Sequence, residues 1–229
     1  MSLRVALAAL LIAASALGGE AAAERTAPIG VGYRPADRDE RGLWMQLDAV
    51  ERGLKTSDFV VRDLALNAYV RRILCRTVGE AQCADVRLYV VRTAEFNATM
   101  APNGMMTVYT GLLLRVRDEA QLAAILGHEF THYTHRHSLR KFRDAKSKAG
   151  TLAWLSAIPT ADYGVATAVT LLQVQVMGSL YRFSREMETE ADAGSIPLMT
   201  AAGYDPGAAA QVWEQLRAEQ DATAAARRK

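Results

Sequence analysis

All four histidines of this 229-residue chain lie between His128 and His137. Two of them, His128 and His132, are four positions apart, directly behind the apolar run Leu122-Ala123-Ala124-Ile125-Leu126. That run is too continuous for a surface helix, so the segment must be a helix packed on most of its faces. Asp118 with Gln121 three residues later supplies a capping-type start for it. On such a helix, residues four apart stand on one face, one turn from each other. The two imidazoles can then converge on a single point, so the fold must bring further groups to that point on a buried helix. With 50% hydrophobic and 23% charged residues the chain can build the core this requires, and disordered, collagenous or coiled-coil architectures are excluded. A net charge of +2 gives no basis for nucleic-acid binding.

A pair of imidazoles so placed suits zinc, which takes histidine nitrogens at about 2.0–2.1 Å. Glu129 stands about 100° round the helix from His128, beside the metal rather than on it. A carboxylate there can take a proton from an attacking water and later deliver it to a leaving amine. This is the HExxH arrangement of zinc metalloproteases. With four histidines and thirteen glutamates in the chain, chance predicts the pattern on the order of 0.004 times. The extended HExxHxxGxxH spacing is absent, because His135 and Ser138 occupy the positions of its Gly and last His. His135 and His137 therefore read as solvent-facing histidines or as partners of the ligands, not as ligands. A third ligand can come from the later segment Ser184-Arg185-Glu186-Met187-Glu188-Thr189-Glu190-Ala191-Asp192. Glu188 and Asp192 share a helix face. Glu188 can complete a His₂Glu set that leaves one position open. Asp192 can accept the free ring N–H of a ligand histidine. Glu186 and Glu190 read as solvated surface residues. Tyr181 and Arg185 lie near in sequence but read as structural.

The rest of the chain sorts by local signals. Arg4, the uncharged run Val5–Leu17 and Ala21-Ala22-Ala23 have the form of a secretory signal peptide over residues 1–23. Export places Cys75 and Cys83 outside the reducing cytosol, and their close spacing predicts a disulfide. Residues 24–229 then form a single domain. N-terminal helices are expected within 37–78, a sheet within 86–110, the HExxH helix over 118–137, a ligand helix at about 180–202 and a C-terminal helix over 206–219. Ala101-Pro102-Asn103-Gly104 reads as a tight turn between two extended segments. Asn97–Met100, or its partner Met105–Tyr109, is a candidate sheet edge to which an extended substrate can add as a strand. The alternative for that region is an interior hairpin with Met100, Met105 and Met106 as core filler. Tyr163–Tyr181 is uncharged over 19 residues but carries Gln, Thr, Ser and Gly. It reads as a buried or lid-like helix rather than a membrane span. The basic run Arg136, Arg140, Lys141, Arg143, Lys146 and Lys148 suits peripheral contact with an anionic membrane.

Taken together, Gly127 with HExxH, Arg136-His137, and Ser184-Arg185-x-x-Glu188-x-Glu190-Ala191-Asp192 resemble the HtpX-like and CaaX-prenyl-protease-like zinc metallopeptidases, of gluzincin type. The resemblance is nearest to their soluble, exported bacterial branch. It extends upstream to Asn97-Ala98, Pro102-Asn103-Gly104 and Thr110-Gly111-Leu112-Leu113, and downstream to Ala202-Gly203-Tyr204-Asp205-Pro206. It implies an α+β, zincin-like domain, mostly helical with a small sheet beside the HExxH helix. It implies one Zn2+ per chain held by His128, His132 and Glu188, with Glu129 and Asp192 as the catalytic carboxylates of the site. The activity implied is endopeptidase action on unfolded or misassembled exported or envelope proteins, in the periplasm or after secretion. The membrane-embedded members carry several spans, and many exported relatives carry a helical-repeat domain after the peptidase; neither is visible in this chain. The rival reading is a catalytically silent, zinc-stabilised binding or chaperone-like module, in which Glu129 would have no use.

Overall fold

The computed structural model describes residues 28–144 and 183–227. Residues 1–23, expected to be a signal peptide, the run Tyr163–Tyr181, and Lys146 and Lys148 of the basic run lie outside those residues. Helices α1 (Arg38–Thr56) and α2 (Leu64–Val78) each begin at an aspartate whose carboxylate accepts from a backbone N–H three residues on. Asp37 takes Glu40 N at 3.0 Å and Asp63 takes Leu66 N at 2.8 Å. Each cap satisfies a donor that the helix itself cannot, a contribution of about 1 kcal/mol. The apolar faces of α1 (Leu43, Leu47, Leu54) and α2 (Val70, Ile73, Leu74, Val78) turn inward. A short helix α3 (Glu80–Cys83) follows at Gly79, and the Cys75–Cys83 disulfide ties it to α2.

The sheet has three strands, β1 (Arg87–Val91), β2 (Ala98–Met100) and β3 (Met105–Tyr109), in the order β1-β3-β2. β3 pairs parallel with β1 and antiparallel with β2, so it is the centre, and all five of its residues are buried. Met105–Tyr109 is therefore not an edge; β2 is. The three methionines are buried as well, so core filling and an edge position coexist in this hairpin. The turn between β2 and β3 requires Gly104. Its φ is +87°, and a β-carbon there would meet the Asp85 carbonyl oxygen at 2.7 Å. Arg87 braces the same corner. Its guanidinium donates to both oxygens of the buried Glu51 at 2.7 and 2.6 Å and to Asn103 O at 2.9 Å.

After the single turn α4 (Thr110–Leu113) comes the central helix α5 (Glu119–Thr134), with twelve of its sixteen residues buried. Asp118 caps it by accepting from Gln121 N at 2.8 Å, while Gln121 Oε1 accepts from Arg117 N at 2.8 Å. Helix α6 (Arg185–Ala201) lies along α5, and α7 (Gly207–Arg227), α2 and β2 pack against α5 as well. The C-terminal helix runs beyond the expected 219 to Arg227, through an Ala-rich stretch of high helix propensity.

The HExxH helix is shorter than the expected 118–137. It stops at Thr134, His135 caps it, and Arg136 takes a left-handed φ of 54° before residues 137–144 turn helical again. A non-glycine residue there costs about 1–3 kcal/mol unless its surroundings hold it. Here the leader before α1 does so. Ile29 N donates to Thr134 O at 2.8 Å, and Arg136 Nη1 donates to Tyr33 Oη at 3.0 Å. Tyr33 in turn donates to the buried Glu40 at 2.8 Å. Three further described members of the basic run have partners within the chain. Arg143 pairs with Asp37, Arg140 with Glu190, and Lys141 lies 6.0 Å from the Phe183 ring centre.

Candidate metal centre

Two helices build the site. The stripe Met187, Ala191, Ser195 of α6 is buried at four-residue spacing against α5, which leaves Glu188 and Asp192 facing its histidines. Small residues set the distance between the two helices. Gly194 stands against Thr131, and Gly127 against Ser195. Ser184 starts α6 by accepting from Met187 N at 3.3 Å, one turn before Glu188 and two before Asp192.

Three donor atoms face one another across this seam. His128 Nε2 is 3.0 Å from His132 Nε2 and 3.5 Å from Glu188 Oε2, and His132 Nε2 is 3.8 Å from the same oxygen. Ligands about 2.0–2.1 Å from a tetrahedral zinc are roughly 3.4 Å from one another, so the triangle has the size of one face of such a site. Among the described residues, these three form the group of His, Cys, Asp and Glu able to hold a metal ion. The donor set, two imidazoles and a carboxylate, is one that zinc accepts in catalytic sites.

Each histidine is anchored through its other ring nitrogen. His128 Nδ1 is 2.9 Å from Asp192 Oδ1. Asp192 thus sits behind His128, where it can orient the ring, and not at the triangle. His132 Nδ1 is 2.7 Å from His137 Nδ1. His135 turns elsewhere, with its Nδ1 3.1 Å from Thr131 O. Glu190 is not a freely solvated residue: its Oε2 accepts from Arg140 at 2.8 Å and lies 2.9 Å from His137 Nε2. Arg185 and Glu186 are exposed at the start of α6, and Tyr181 lies outside the described residues.

The electrostatics follow from burial and from these contacts. Burial opposes a charge on His128, but hydrogen bonds to Asp192 and Glu188 hold its pKa up at about 10. The His128 imidazole, with that of His132 beside it, holds the Glu188 carboxyl well below the usual carboxylate range. Burial lowers His132, helped by the charge of His128 and opposed by Glu188. Burial pushes the Glu129 carboxyl up to about 7; the charge of Glu188 adds to this, and His128 and the backbone N–H of Met100 oppose it. A dication at the triangle competes with the His128 proton for the same lone pairs.

Three further features surround the site, two of them without a signal in the residue pattern. Phe183 stacks on His132 with ring centres 4.0 Å apart. Trp213 of α7 meets the His128 ring edge-on at 5.9 Å and, with Ile125, Ala209 and Val212, lines a shallow open cleft behind it. Met100, on β2, brings the sheet edge to Glu129. Of these, only the Met100 edge had a signal in the sequence, through the extended segment Asn97–Met100 that precedes the capped helix.

A buried HExxH helix beside a small mixed sheet, flanked by a helix that presents a glutamate, defines a zincin-like metallopeptidase domain. Residues 64–225 match Peptidase family M48, and the chain belongs to that family. It is similar to the mitochondrial metalloendopeptidase OMA1 of Schizosaccharomyces pombe, 36% identical over 152 residues, covering 66% of this chain and 44% of that one. It is also similar to the putative beta-barrel assembly-enhancing protease of Vibrio cholerae, at 29% identity with 75% of this chain and 37% of that one covered. The beta-barrel assembly-enhancing protease of Escherichia coli is 27% identical, with 76% and 38% covered. The matched region thus spans less than half the length of each of these curated relatives.

Proposed function

We propose that this chain is a zinc endopeptidase acting on exported proteins, with His128, His132 and Glu188 as metal ligands and Glu129 as general base and then acid. The observation that carries this is the convergence of His128 Nε2, His132 Nε2 and Glu188 Oε2 within 4.8 Å of one another, with Glu129 next along the helix from the first. Zinc there would polarise the scissile carbonyl and the attacking water. The chain's own residues do the rest. Glu129, pushed up to about 7, is suited to accept a proton near neutral pH and return it to the departing amine. With a metal at Nε2, Asp192 would hold His128 as its Nδ1–H tautomer.

Substrate would be held by its backbone. Ala101 N donates to Met105 O and Tyr109 N to Asn97 O. Antiparallel pairing alternates, so the N–H and C=O groups of Ala98 and Met100 point away from β3. Among the described residues no strand pairs with that side. An extended peptide added there would be read with little regard to side chain, as a protease of unfolded chains requires. The names of the similar proteins, a metalloendopeptidase and beta-barrel assembly-enhancing proteases, support misassembled envelope proteins as the substrate class. The disulfide and the signal-like segment 1–23 support a periplasmic or secreted setting.

Glu129→Gln tests the reading. The variant should keep one zinc per chain and lose cleavage of an unfolded casein-type substrate, and chelator should abolish cleavage by the wild type. Wild-type protein that holds zinc yet cleaves nothing would favour the silent binding module. Full proteolysis in Glu129→Gln at unchanged zinc content would remove Glu129 from the chemistry.

A further inference from the structure

His132 meets a second histidine where His128 meets a carboxylate. His137 is wholly buried, and its Nδ1 lies 2.7 Å from His132 Nδ1. It is there because the left-handed Arg136 folds the chain back beneath the end of α5. Its other nitrogen, Nε2, lies 2.9 Å from Glu190 Oε2, and the same oxygen accepts from Arg140 Nη1 at 2.8 Å. Phe183 covers the pair, with its ring 4.0 Å from that of His132 and 5.9 Å from that of His137.

Hydrogen counting allows one arrangement of this chain. A carboxylate ion-paired with arginine only accepts, so the hydrogen facing Glu190 belongs to His137 Nε2. A neutral imidazole carries one hydrogen, so His137 Nδ1 is bare and accepts. The hydrogen in the short contact between the two rings then belongs to His132 Nδ1. His132 is left with a bare Nε2, the atom that faces His128 and Glu188. In the reverse arrangement His132 would carry its hydrogen on Nε2, pointing into the ligand triangle and blocking a metal there.

We propose that His137, held by Glu190 and Arg140, is the positioning residue of His132. It fixes that ring as the Nδ1–H tautomer and so presents the Nε2 lone pair to the metal. The inference rests on the ligand set proposed above. It gives Glu190 and Arg140 a task that surface charges would not have. It also gives the break at His135 and Arg136 a purpose, since a helix continuing to residue 137 would carry His137 round the axis and away from His132.

Two measurements on the full chain test it. In zinc-loaded protein labelled with ¹⁵N-histidine, ring nitrogen shifts should show His132 protonated at Nδ1 and His137 at Nε2; a hydrogen on His137 Nδ1 overturns the proposal. Zinc affinity, read by competition with a chromophoric chelator, gives the second. His137→Leu should weaken binding about 10- to 100-fold. His137→Asn, which can offer an oxygen near the place of Nδ1, should recover most of that loss, although the two variants remove the same ring. Glu190→Gln, at a half-exposed position, should weaken binding by itself and add nothing to His137→Leu, because it acts through His137. Wild-type affinity in His137→Leu, or equal losses in the Leu and Asn variants, overturns the proposal. If His137→Leu does not fold, Glu190→Gln and the wild-type spectrum still decide. Failure of the ligand set shows elsewhere: undiminished zinc binding by His132→Ala sinks that set and the relay with it.

Discussion

Gly194 and Thr131 approach so closely that a β-carbon on the glycine would lie 2.4 Å from the threonine methyl carbon. Glu188 and Asp192 ride on the same helix as Gly194, so this contact sets how near they come to His128 and His132. Gly194→Ala should push α6 off α5 and weaken zinc binding about tenfold or more. Thr131→Ala in the same chain should recover part of the loss by removing the methyl. Undiminished affinity in the single variant would show that the seam does not set the ligand spacing.

Carboxylates on α6 should separate by position. Glu188→Ala should lower zinc occupancy steeply, since it removes a proposed ligand, while Glu186→Ala should leave it unchanged. Metal analysis after dialysis reads both. Equal losses in the two variants would point to damage to the helix rather than to loss of a ligand.

Zinc affinity should rise with pH. The His128 ring holds a proton up to about 10, and a metal at Nε2 must displace it. Below that value each pH unit should raise the apparent affinity about tenfold. The rise should slow as pH passes the His128 value, where no proton remains to displace. Asp192→Asn removes the first of the contacts that hold the proton, so its rise should level off at a lower pH. Titrations at several pH values with a competing chelator give the slope, and a flat profile between pH 6 and 8 would contradict the assignment.

Proline placed at Ala98 removes an N–H that points away from β3. Placed at Thr107, it lands in the buried central strand. Ala98→Pro should fold, keep zinc and raise KM for an unstructured peptide several-fold, whereas Thr107→Pro should not fold. Unchanged KM in a folded Ala98→Pro chain would rule out strand addition at this edge.

Much of the fold could be read locally because its signals are local. Asp37, Asp63, Asp118 and Ser184 cap helices through contacts three residues away, and the spacing of His128, Glu129 and His132 needs no other part of the chain. What escaped the residue pattern depends on distant partners. The stop at His135 and Arg136 is held by Tyr33, 103 residues earlier. The bond between His137 and Glu190 spans 53 residues, so Glu190 looked like one more surface acid. That β3 and not β2 lies at the centre follows from β1 joining it on the far side, which strand propensity alone does not encode. The extension of the last helix past 219 is encoded locally, since the alanines there favour helix wherever they occur.

The Cys75–Cys83 bond closes a short loop, and the chain-entropy estimate puts its worth at about 2–3 kcal/mol. In a domain of typical stability, about 5–15 kcal/mol, losing that much would leave most molecules folded but raise the unfolded fraction by roughly two orders of magnitude. Proteolytic turnover tracks that fraction when opening is fast. Loss of the bond among reducing thiols would therefore shorten the lifetime of the chain well before it abolished the fold, so the same sequence would persist longer where the bond can form.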